Sequence, residues 1–174
     1  DIDAENVTID GIADIDAVNV DVENITINST SDINATGNMT VGTATLVGDA
    51  IVTVGENLTA TTINANNNLT ADVEGDIYAE NVTIDGVADI DAVNVDVENI
   101  TINSTSDINA TGNMTVGTAT LVGDAIVTVG ENLTATTINA NNNLTADVEG
   151  DITAENVTVG GVADIDAVNV SVDN

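Results

Sequence analysis

The chain has 174 residues, 30 of them Asp or Glu, with no Lys, Arg, His, Cys, Pro, Phe or Trp, and a formal charge of -30. Those gaps argue against a thiol or His–Ser nucleophile, against conventional zinc, haem or iron–sulfur ligation, and against cationic stabilisation of an oxyanion. Nucleic acid and anionic membrane surfaces need positive charge in their partner, which leaves polyvalent cations and uncharged surfaces as possible partners.

The hydrophobic fraction of 43% is nearly all Ala, Val, Ile, Leu and Met, with Tyr78 the only aromatic residue. That is too apolar for a disordered acidic tail. From the N-terminus the apolar positions run Ile2, Ala4, then Val7, Ile9, then Ile12. They continue as Ile15, Ala17, then Val20, Val22, then Ile25, Ile27. This is a two-residue alternation with a phase jump, which predicts short strands that turn a corner and point inward again. Gly11, Gly37, Gly42, Gly48, Gly55 and Gly75 read as corners at which a positive φ is tolerated, and Asn66 to Asn68 as a corner of the same kind. ENVT at Glu5 and ENIT at Glu23 stand 18 apart, as do DIDA at Asp14 and DINA at Asp32, while Asn38 and Asn57 differ by 19.

The larger period is 75 residues. Copies 1–75 and 76–150 differ only where Asp3 becomes Tyr78 and Ile12 becomes Val87, and 151–174 starts a third copy. Together these features predict one continuous all-β solenoid: a parallel β-helix, three-sided, with about 18–19 residues per coil and four coils per repeat. At roughly 4.8 Å per coil the rod would be on the order of 45 Å long around a thin aliphatic column. An antiparallel sandwich would explain the alternation but not the constant phase jumps. Helix is disfavoured by the abundance of Val, Ile, Thr, Asn and Asp. Near-identical copies give no sign of a unique cleft, so the reading is not an enzyme, with no catalytic or cofactor-binding residue. No run of about 18 apolar residues suggests a membrane helix, and no basic, apolar signal opens the chain. A start at Asp1 and a stop within a repeat suggest a processed product, or a piece of a longer array.

Asn-x-Ser/Thr, the acceptor triplet for N-glycosylation in secreted proteins, occurs 16 times. In the first copy the candidates are Asn6, Asn24, Asn28, Asn34, Asn38, Asn57 and Asn68. In the second they are Asn81, Asn99, Asn103, Asn109, Asn113, Asn132 and Asn143, and Asn156 and Asn169 follow. Chance on an Asn/Thr-rich strand face would make roughly three of the eleven Asn in a copy match; seven do. A structural use competes with decoration, because stacked Asn side chains can hydrogen-bond in ladders.

The pairs Asp1/Asp3, Asp14/Asp16 and Asp89/Asp91 place two carboxylates two residues apart. Such pairs can take Ca²⁺ through oxygen ligands. Neither the glycine-rich calcium β-roll signature nor an EF-hand loop is present, and the Asp1/Asp3 pair is lost at Tyr78 and Thr153. The expectation is a solvated acidic face that binds Ca²⁺ or other cations non-specifically, with no dedicated metal site.

The segment VEGDIYAENVTIDGVADIDAVNV, Val73 to Val95, resembles the bactofilin family, polymer-forming proteins with a right-handed β-helical core. The likeness covers about a third of each copy. The remainder, rich in NxT and TAT, resembles repeat proteins of prokaryotic cell surfaces. Among these are the sheath proteins of filamentous methanogenic archaea, proposed to be amyloid-like, and adhesin stalks. These resemblances imply self-assembly or a rigid spacer. The functional expectation is an extracellular, cell-surface structural glycoprotein whose partners are further copies of itself and N-linked glycans, forming a filament, sheath or surface layer. The alternatives are an adhesin stalk and a cytoplasmic bactofilin-like scaffold. An ice-binding solenoid is a fourth reading, suggested by the TxT pairs Thr43/Thr45 and Thr59/Thr61; those pairs do not recur at every coil.

Overall fold

A computed structural model describes residues 1–173. Among them every regular element is a β-strand, and the strands alternate between long and short. The first repeat holds β1 (Ile2–Ile9), β2 (Ala13–Ala17), β3 (Val20–Ile27), β4 (Ser31–Ala35), β5 (Met39–Leu46), β6 (Ala50–Val54), β7 (Leu58–Ala65) and β8 (Leu69–Val73). The second holds β9 (Ile77–Ile84), β10 (Ala88–Ala92), β11 (Val95–Ile102), β12 (Ser106–Ala110), β13 (Met114–Leu121), β14 (Ala125–Val129), β15 (Leu133–Ala140) and β16 (Leu144–Val148). β17 (Asp151–Val159), β18 (Ala163–Asp166) and β19 (Asn169–Val172) follow. The odd strands form one ten-stranded sheet and the even strands one nine-stranded sheet, both stacked in chain order. All pairings are parallel, as a solenoid requires. The chain makes about nine turns.

Each long strand is creased. In β3 the inward residues are Val20 and Val22, then Ile25 and Ile27, with Glu23 and Asn24 both turned out. Two adjacent outward residues reset the alternation, so the strand bends there and serves two sides of the coil. The paired register skips the same place: Ala4 pairs with Val22 and Asn6 with Asn24, while Glu5 and Glu23 at the crease are left out. A coil therefore has three short sides. The first is the start of a long strand, the second is its remainder, and the third is a short strand.

The steps between coils account for the 75-residue repeat. Ile2 pairs with Val20, 18 residues on; Val20 with Met39, Met39 with Leu58 and Leu58 with Ile77 are each 19. The difference is confined to the corner after the short strand. It is Val18–Asn19 in the first coil and Thr36–Gly37–Asn38 in the second.

The core is the expected aliphatic column. Ile27, Val54, Ile84 and Ile102 are fully buried, with Val22, Ile33 and Leu46 close behind. Stacked identical layers suit these side chains, because each coil covers the apolar atoms of the one before it. Among the described residues only Ser31 and Ser106 are buried and polar, and the Oγ of each lacks a hydrogen-bond partner there.

Two expectations need correction. Ile12 does not continue the inward series: it is 79% exposed at a corner, and Ala13 takes the inward place. Its position is filled by Thr30, Asp49 and Asn68 in the next coils, so nothing in the fold requires an apolar residue there. The glycines do stand at corners and creases, but no glycine has a positive φ. All but Gly11 are needed for space. A Cβ on Gly55 would lie 2.3 Å from the Thr36 carbonyl oxygen, and one on Gly42 would lie 2.4 Å from that of Glu23. In each case the obstacle is the backbone of the preceding coil.

Candidate functional site

Parallel stacking turns each outward position into a column running along the rod. The most continuous column precedes the long strands: Asp1, Asn19, Asn38, Asn57, Asp76, Asn94, Asn113, Asn132, Asp151 and Asn169. Its side chains accept from the next coil. Asn38 N–H donates to Asn19 Oδ1 at 3.0 Å, Asn57 N–H to Asn38 Oδ1 at 3.1 Å, and Asp76 N–H to Asn57 Oδ1 at 2.9 Å. The series resumes with Asn94 Nδ2 to Asp76 Oδ1 at 2.8 Å and Asn113 N–H to Asn94 Oδ1 at 2.7 Å. These bonds satisfy corner N–H groups that the strand ladders leave unpaired. A shorter ladder at the other corner runs from Asn68 N–H to Asp49 Oδ1 at 3.3 Å and from Val87 N–H to Asn68 Oδ1 at 2.8 Å. The structural use of Asn is thus plain.

The sixteen acceptor-triplet Asn fall into three settings, and none is buried. Asn28, Asn38, Asn57 and Asn68, with Asn103, Asn113, Asn132 and Asn143, stand at corners, and Asn169 takes the same column position as the first residue of β19. Asn34 and Asn109 lie on the short strands, where they donate to Asp16 at 3.1 Å and Asp91 at 2.9 Å. Asn6, Asn24, Asn81, Asn99 and Asn156 lie on the second side of the coil, where Asn24 donates to Asn6 and Asn99 to Asn81, each at 3.2 Å. At Asn57 and Asn68, both exposed, Nδ2 donates to no partner among the described residues. The sugar-accepting nitrogen is free there, whereas one repeat on Asn132 Nδ2 donates to Asn113 Oδ1 at 3.2 Å and Asn143 Nδ2 to Asp124 Oδ1 at 3.0 Å.

The acidic residues gather mainly on the third side and at the corners. Asp14/Asp16 and Asp89/Asp91 do share the outer face of a short strand, stacked over Asp32 and Asp107. Asp1 and Asp3 separate: Asp1 sits in the corner ladder, accepting from Asn19 Nδ2 at 3.1 Å, and Asp3 faces outward in β1. Among the described residues no three carboxylates converge as a metal site would need. Burial raises the Asp89 carboxyl above the ordinary value, helped by the neighbouring charges of Asp91, Asp107 and Asp72. Tyr78 donates its hydroxyl to Asp76 Oδ2 at 3.0 Å. That bond, then the Asp76 charge, raises the phenol.

Two cavities among the described residues differ in kind. One is a slit inside the aliphatic column, lined by residues such as Met114, Leu133, Ile152 and Val170. Another is a shallow surface groove between Asn109, Thr128 and Glu149. No family model, curated protein or solved structure matches the chain.

Proposed function

We propose that this chain is a structural protein of the cell exterior, a rigid rod that joins further copies of itself into a filament, sheath or surface layer and carries N-linked sugar at its corners. One observation carries the reading: all sixteen acceptor triplets place Asn at a solvent-reaching position on a rod of uniform section. Corners suit a glycan better than flat sides, because a sugar there projects away from the neighbouring coils. Parallel strands with open edges are also templates for further pairing. The local likeness to bactofilins and the broader likeness to archaeal sheath proteins agree with a self-assembling β-solenoid.

The test is mass analysis of native material cut with an acid-specific protease, since the chain has no Lys or Arg for trypsin. Sugar on peptides covering Asn57 and Asn68 is the expected result. Bare Asn throughout, in material from a glycosylating host, would return the triplets to the hydrogen-bonding role described above and shift weight to a cytoplasmic scaffold.

A further inference from the structure

The second side of the coil differs from every other surface of the rod. Each coil contributes two outward residues to it, at the fifth and seventh positions of the long strand, or the sixth and eighth of β17, which starts one residue earlier. One column reads Asn6, Asn24, Thr43, Thr62, Asn81, Asn99, Thr118, Thr137, Asn156. The other reads Thr8, Thr26, Thr45, Asn64, Thr83, Thr101, Thr120, Asn139, Thr158. All eighteen positions are Asn or Thr, in unbroken register, and all 30 carboxylates of the chain lie elsewhere. The face is also the most regular one. It is bounded by a single-residue crease and by a corner of constant length, and the corner that has two residues in one coil of four and three in the others lies opposite.

We infer that this neutral face is where a second copy of the chain docks, side by side, so that rods associate as face-to-face pairs. The inference rests on the self-assembly reading and names its surface. The reason is electrostatic. A chain of charge -30 with no Lys, Arg or His has no cation to offer an acidic neighbour. Like charges brought together at an interface are strongly disfavoured, so two copies can approach closely only where both are uncharged. Asn and Thr columns at a common spacing of about 4.8 Å then meet like columns, with Thr methyls in contact and the amide groups left over from the Asn24–Asn6 and Asn99–Asn81 bonds able to bond across. One such face per rod joins rods laterally in pairs, and growth beyond a pair runs through the open strand edges at the rod ends.

The size of the face sets the strength. Nine rows at about 4.8 Å, two columns about 6.6 Å apart, offer on the order of 300 Å² per rod, or roughly 600 Å² per pair, below the ~1,200–2,000 Å² of stable interfaces. Pairing of this length of chain is therefore weak and grows with coil number. Glu5, Glu23, Glu80, Glu98 and Glu155 line the crease beside the face, and Asp10 and Asp85 stand at its far corner. Salt that screens these flanking charges strengthens the pair.

The test compares isosteric variants of the whole chain, made without sugar. Asn81→Asp with Asn99→Asp charges the neutral face. Asn34→Asp with Asn109→Asp adds the same charge to the acidic third side. Sedimentation velocity across protein and salt series should show the parent and the third-side variant moving from 17.5 kDa toward twice that mass, with the second-side variant remaining single. Retained β circular dichroism confirms that each variant is folded. Because the chain has no cysteine, a second measurement avoids added charge: Asn81→Cys, in the middle row, should oxidise to a covalent pair at least ten-fold faster than Asn34→Cys. Pairing of the second-side variant equal to the parent would overturn the inference while leaving self-assembly standing. A parent that stays single in every salt, with equal cysteine rates, would remove both. Single rods that nonetheless shape growing ice crystals would assign the face to ice and overturn the pairing. Sugar found on Asn24 or Asn99 of native material would cover the face and overturn it as well.

Discussion

The first and fifth coils pose the same residues in different surroundings. Val82 and Ile84 are 5% and 0% exposed, whereas Val7 and Ile9, their equivalents one repeat earlier, are only half-buried. Ile90 is 6% exposed, and its equivalent Ile165 in the ninth coil is 39% exposed. The first and fifth coils differ only at Asp3/Tyr78 and Ile12/Val87, all exposed, and the ADIDA segments around Ile90 and Ile165 are identical. The contrast comes from having a coil on both sides or on one, so a coil's stability is mostly a property of its two neighbours.

The sharpest way to break that comparison is to truncate the same side chain in both places. Ile84→Ala should cost about 2–5 kcal/mol, the usual range for emptying a closed core site. Ile9→Ala should cost no more than about half of that, because solvent already reaches the site. Urea midpoints of the two variants, with amide exchange to locate the weakened coils, would decide it. Equal losses would mean that stability is held within each coil, contrary to the burial contrast.

A second pair sharpens the point without touching the core. A Cβ on Gly86 would meet the Asn67 carbonyl carbon at 2.5 Å and the Asn68 nitrogen at 2.6 Å, whereas a Cβ on Gly11 meets nothing within 4 Å. Gly86→Ala should therefore cost about 1–3 kcal/mol as an overpacking change. Gly11→Ala should be neutral, or stabilise by up to about 1 kcal/mol through the unfolded chain. Thermal midpoints measured side by side check both. A costly Gly11→Ala would point to backbone conformation as the reason for glycine, as the sequence alone suggested.

Ser106 offers a smaller effect of opposite sign. Its hydroxyl is buried without a partner, in a column where Ala88 and Ala125 fill the same place. Ser106→Ala should raise stability by about 1 kcal/mol by removing an unsatisfied group. A loss of stability in the urea midpoint would show that the hydroxyl has a partner in solution, such as a trapped water.

The inward residues and the coil length were legible in the sequence because two-residue alternation and the 18- and 19-residue echoes report directly on strand and turn. Ile12 misled, since one coil read alone cannot tell a corner from a side. Its column carries Thr30, Asp49 and Asn68, and only alignment at the true coil offsets exposes that. The role of glycine was hidden because the obstacle is a backbone 18 or 19 residues away. The neutral face was hidden for a related reason. Its pairs read NVT, NIT, TAT and TIN along the chain, so a search for one fixed pair finds no constant array. Only the register shows that every row is made of the same two residue types. The triplets were legible as triplets, but not their division among corners, short strands and the neutral side.

The smallest effect concerns acid. In proteins with ion pairs, acidification removes the charge of carboxylates that were held by bases. Here the chain has no Lys, Arg or His, so protonation relieves repulsion instead. Asp89 shows the sign. Partial burial, then the charges of Asp91, Asp107 and Asp72, raise its carboxyl in the folded state. The folded chain thus binds the proton more tightly than the unfolded one, and stability must fall as pH rises through the folded value. The stabilising contribution is complete below the unfolded carboxylate value. Lowering the pH from 7 into the carboxylate range should raise the urea midpoint slightly, and more at low salt, because Asp89 is exposed and its neighbours' charges are screened. Asp89→Asn should raise the midpoint at pH 7 and flatten the rise. A midpoint that falls steadily between pH 7 and the carboxylate range would mean that carboxylates here are held by donors in the folded state more strongly than they repel one another, with the backbone and amide hydrogens of the corner ladders the first place to look.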